Sequence, residues 1–109
     1  MTGAPMTPDK LFESVIEALQ DREGVTKGRM FGSTVLKVHG KVFAMFVKGK
    51  LVVKLNRLRV ESLITSGTGE YFDPGHGRPS KEWVAVGELK QPDWQTLAGE
   101  ALERVGANP

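Results

Sequence analysis

The chain has 109 residues, 39% hydrophobic and 26% charged, which is the composition of one folded domain and not of a disordered chain. It contains no cysteine, so disulfides, thiolate nucleophiles, iron–sulfur clusters and cysteine zinc sites are all excluded. The net charge is only +2, yet nine of the fifteen basic residues fall between Gly24 and Val60, a stretch with no Asp or Glu.

Met1 to Met6 reads as a loose tail without the basic and apolar regions of a secretory leader, and no later run is long and apolar enough to span a bilayer. A cytoplasmic protein is therefore expected. Thr7-Pro8-Asp9 predicts a helix start, with Thr7 as N-cap, Pro8 at the first helical position and Asp9 near the positive end of the dipole. Leu11, Phe12, Val15, Ile16 and Leu19 form an apolar stripe at helical spacing, and the helix should end near Arg22. From Met30 the period falls to two. Runs over Met30–Val38, Lys41–Val47 and Lys50–Leu55 are joined by His39-Gly40 and Lys48-Gly49, which predicts a three-stranded antiparallel meander with tight turns. Asn56 is placed to cap a second helix carrying Val60, Leu63 and Ile64, with Gly67 as its stop. Strands over Glu70–Asp73 and Lys81–Val86 flank a loop rich in glycine and proline. A last helix opens at Pro92-Asp93-Trp94, buries Trp94, Leu97, Ala98, Ala101, Leu102 and Val105, and leaves 106–109 as a loose tail. The order α-β-β-β-α-β-β-α predicts one α+β domain over 1–109, an antiparallel sheet with its helices gathered on one face.

Counting two-residue turns sets an expected register, with Leu36 opposite Phe43 and Val35 opposite Ala44. Val35, Lys37, Val42, Ala44, Phe46, Leu51, Val53 and Leu55 then lie under the helices. The other face collects Thr34, Leu36, Val38, Phe43, Met45, Val47, Lys50, Val52 and Lys54, too apolar for a face open to water. A homodimer or protein-docking face is expected there, centred on Leu36, Phe43, Met45 and Val52 with Lys50 and Lys54 beside them.

No nucleophile–base pair or metal-ligand spacing emerges, so no catalytic residue, metal or cofactor is expected. Thr65-Ser66-Gly67-Thr68-Gly69 follows a helix where a phosphate cradle would follow a strand, and it reads as a helix stop. The loop around His76, Arg78 and Lys81 concentrates donors, and together with Arg29 these make a candidate anion site. The alternative function is therefore an anionic-ligand or nonspecific nucleic-acid-binding domain using the basic meander and that loop.

Arg29-Met30-Phe31-Gly32, Gly40 with Phe43-Ala44, Gly49-Lys50-Leu51-Val52-Val53-Lys54, and Gly67, Gly69 and Phe72 form an ordered series. From about Lys27 to Val105 the chain resembles the TfoX/Sxy N-terminal domain family. The resemblance implies an α+β fold of the secretion-chaperone-like kind and a non-enzymatic role, and it carries over no catalytic residue. Longer members of that family are regulators of natural competence that act with a transcription activator and add a C-terminal domain; here a stand-alone N-terminal domain is implied. The expected function is a small cytoplasmic interaction or regulatory module that acts through protein contacts, including a second copy of itself.

Overall fold

The computed structural model describes residues 7–30, 32–73, 77, 80–87 and 93–107. Each of the described helices begins where a short polar side chain satisfies a backbone donor of the first turn. Thr7 accepts from the Lys10 N–H at 3.3 Å to open α1 (Pro8–Leu19). Asn56 Oδ1 accepts from the Arg59 N–H at 2.8 Å to open α2 (Arg57–Thr65). Asp93 Oδ1 accepts from the Thr96 N–H at 2.9 Å to open α3 (Trp94–Gly106).

The strands are β1 (Val25–Met30), β2 (Ser33–Val38), β3 (Lys41–Val47), β4 (Lys50–Lys54), β5 (Gly69–Phe72) and β6 (Ser80–Val86). They form one antiparallel sheet in the order β1-β2-β3-β4-β6-β5. The expected α+β class and element order hold, with β1 added at the front of the meander. Met30 and Val38 do not share a strand: Gly32, at φ 80°, sits where the chain reverses, and Met30 pairs with Ser33 across that turn. The other two turns are as expected. His39 and Gly40 (φ 52° and 82°) and Lys48 and Gly49 (φ 52° and 79°) are all left-handed, the signature of type I′ hairpins whose twist matches that of the strands.

One expectation of register fails. Ala44 pairs with Val53 as counted, but Leu36 pairs with Ala44, and the next pair is Lys37 with Val42. Phe43 is therefore an extra residue in β3, a β-bulge, and every β2 residue faces the side opposite to the one counted. Leu36, Val38 and Phe43 turn to the helices, while Val35, Lys37 and Val42 turn away. The bulge puts Phe43 and the adjacent Ala44 in the same core, both 0% exposed. Burying a phenyl ring is worth roughly 2–3 kcal/mol, enough to compensate for a locally disrupted ladder.

The core lies between that sheet face and the helices. It joins Phe12, Val15 and Leu19 of α1, Val60 and Leu63 of α2, and Trp94, Leu97, Ala98, Ala101, Leu102 and Val105 of α3 to Leu36, Val38, Phe43, Ala44, Leu51, Val53, Val84 and Val86. Phe12 stacks on Phe46 at 5.3 Å, and Trp94 meets the same ring at 6.2 Å while its indole N–H donates to the Gly87 carbonyl at 3.0 Å. Arg59 holds Glu100 through two hydrogen bonds of 3.0 and 3.1 Å, tying α2 to α3.

Candidate protein-docking face

Directly opposite residues share a face, so the pairings trace a row across the whole sheet: Gly28, Val35, Met45, Val52, Ala85, Glu70. This row lies on the face away from the helix-side core. Val35 and Val52 are 0% exposed and Ala85 is 5% exposed, yet none of them belongs to the helix-side cluster, which takes every buried residue of α1, α2 and α3. Half-buried side chains flank the row: Lys37 and Val42, Val47 and Lys50, and Lys54 and Trp83, each a cross-strand pair on the same side. Lys37 shows how such a chain covers apolar ground. Its Cε and Nζ lie 3.8 and 4.0 Å from the position a Cβ on Gly28 would take, so the stem crosses from β2 toward β1 and carries the ammonium with it.

The candidate docking residues separate accordingly. Met45, Lys50 and Lys54 are on this face and half-buried. Val52 is on it but fully buried, so a partner does not touch it. Leu36 and Phe43 are not on it at all; the bulge has moved both into the core, where no partner reaches them. Lys37, Val47 and Trp83 complete the face. Of these, Lys37 was hidden by the same shift of parity. Trp83 was legible, because apolar residues run consecutively from Trp83 to Val86 and so occupy both sides of β6.

Charge on this face is mostly positive. Lys50 Nζ reaches over β6 to Glu70 Oε1 at 2.5 Å. Lys37 and Lys54 make no ion pair among the described residues. Elsewhere, Arg57 pairs with Glu61 at 3.5 Å and Arg104 with Glu82 at 3.3 Å, both away from the row.

The candidate anion residues are not gathered. Arg29 stands exposed on β1 and Lys81 exposed on β6, four strand spacings apart, or about 19 Å along the sheet. His76 and Arg78 lie outside the described residues. His39 lines a groove with Arg22, Glu23 and Glu103, in which Arg22 and Glu103 approach to 3.7 Å. Its charges are of both signs, and no group of three metal-ligating side chains forms among the described residues. No described helix is long and apolar enough to cross a membrane. Compared with family models, with curated proteins and with solved structures, the chain matches none.

Proposed function

We propose that this domain is a small cytoplasmic interaction module, regulatory and non-catalytic, that docks an acidic, partly apolar protein segment on the sheet face away from its helices. One observation carries the reading: the half-buried apolar side chains of Val42, Met45, Val47 and Trp83 lie on that face, outside the helix-side core and beside a rim of lysines, over the buried Val35, Val52 and Ala85. An apolar centre supplies binding energy, and a rim of one sign supplies orientation and association rate. The same charge argues against a second copy as occupant, since a two-fold axis through the face would set Lys37 and Lys54 against their own mates. The resemblance to the TfoX/Sxy N-terminal domain family points the same way, toward a regulator that works through a protein partner.

Selection of binders from a random peptide display library tests this. The expected binders interleave Asp or Glu with apolar residues and are lost on Met45→Glu and on Lys54→Glu. Selection of basic peptides, or binding indifferent to both substitutions, overturns the reading. Steeply salt-dependent affinity for duplex or single-stranded DNA replaces it with a nucleic-acid-binding one.

A further inference from the structure

The two edges of the sheet are protected differently. At one, β5 is four residues long and its pairing breaks between Tyr71 and Phe72, so it offers little to an incoming strand. At the other, β1 is six residues long, carries no proline and pairs with β2 in unbroken register. Thr26, Lys27, Arg29 and Met30 are exposed on it. Its backbone direction follows from one hydrogen bond, His39 N–H to the Gly24 carbonyl at 3.0 Å. Gly24 therefore points at β2, and by the alternation of an antiparallel ladder so do Thr26, Gly28 and Met30. The N–H and C=O groups of Lys27 and Arg29 point outward, where no further strand lies among the described residues.

We propose that the β1 edge takes an extended acidic segment of a partner protein as a seventh strand, with the pattern acid–apolar–acid opposite Arg29, Gly28 and Lys27. This rests on the docking face described above and adds the conformation and sequence of what docks there. The charges define the acids. Lys27 and Arg29 project from the helix side of β1, since Lys27 pairs with Leu36 of the core, and a strand laid antiparallel to β1 places two alternate side chains directly opposite them. A second copy of β1 fails there, because centred on Gly28 it would set Lys27 against Arg29. The glycine defines the apolar residue. Gly28 opens the apolar row, and on its outer side a Cβ would meet Val35 Cγ2 and Lys37 Cε, each at 3.8 Å, and Lys37 Nζ at 4.0 Å. A large side chain on the incoming strand, opposite Gly28 at a non-hydrogen-bonded position where side chains come closest, extends the row by one place and lies against the aliphatic stem of Lys37 beside Val35. Backbone pairing then gives affinity, and the alternating side chains give specificity.

The test uses the whole chain and a fluorescein-labelled peptide of about eight residues, an ordinary strand length, centred on Glu-Phe-Glu. Binding is expected to slow amide hydrogen exchange at Lys27 and Arg29 by at least roughly tenfold and to leave Thr26 and Gly28, already bonded to β2, nearly unchanged. The doubly substituted Lys27→Glu/Arg29→Glu chain is expected to lose roughly tenfold or more in affinity for that peptide and to gain affinity for one centred on Lys-Phe-Lys. Unchanged exchange at Lys27 and Arg29 on binding overturns the edge assignment, and so does failure of the peptide to bind at low salt. If acidic display-selected peptides instead depend on Met45 and Lys54 and not on Lys27 and Arg29, the face reading stands and the seventh strand falls. If no acidic peptide is selected, the face reading fails as well.

Discussion

Asp93 shows how one side chain can do a local job that pH exposes. Its carboxyl is held below its ordinary value first by the Thr96 hydroxyl and then by the Thr96 N–H, both of which favour the charged form. A depressed value in the folded state means that the stabilisation is complete above the unfolded value of about 3.9 and is lost as pH falls through the folded one. Asp93→Ala is expected to cost about 1 kcal/mol in urea denaturation at neutral pH, and less as the pH is brought below the folded value. Asp93→Asn keeps an acceptor for the helix start and should remove this pH-dependent share. A stability difference between the parent chain and the Asp93→Asn variant that stays flat from neutral to strongly acidic pH would show that the carboxylate plays no such part. Gly24 is a second case: its φ of 81° favours glycine, and a Cβ there would have to push the exposed His39 ring aside.

At the scale of elements, the bulge in β3 decides which residues are structural and which are available. Phe43 and Met45 are two positions apart in one strand and look equivalent by parity, but Phe43 is fully buried under the helices and Met45 is half-buried on the opposite face. Phe43→Ala should cost about 3–5 kcal/mol, as for a core aromatic. Met45→Ala should cost about 1 kcal/mol, as for a partly covered site. Equal losses in chemical denaturation would contradict the bulged register. The caps and hairpins of the same region were readable because each is determined within about four residues: Thr7, Asn56 and Asp93 act on the turn that follows them, and His39-Gly40 and Lys48-Gly49 carry their turn type in their own backbone preferences. β1 was harder to read. Val25–Met30 contains a glycine and two cations and no apolar alternation, so β2 pairing, and not propensity, makes it a strand.

For the whole molecule, charge and topology act together. The basic block from Gly24 to Val60 forms β1 through β4 and the start of α2, so its cations are dealt to both sheet faces and one edge instead of one patch. Arg59 and Arg57 are absorbed by Glu100 and Glu61, Lys50 by Glu70, and Lys27, Lys37 and Lys54 are left around the open edge and the outer row. With like charges on both surfaces that a second copy would use, the chain is expected to sediment as a monomer at micromolar concentration in low salt. A dimer under those conditions that Met45→Glu dissociates would assign the outer face to self-association.

Taken by itself, the amino-acid sequence determined what short-range physics controls: three capped helices, tight glycine turns, an α+β order, a concentration of positive charge and the absence of thiol chemistry. Tertiary structure alone decided which side of the sheet each strand residue faces. A single extra residue in β3 reverses that choice for all of β2, and its cost and benefit are settled against helices that are distant in the chain, where Phe43 and Leu36 find room and Val35 and Lys37 do not.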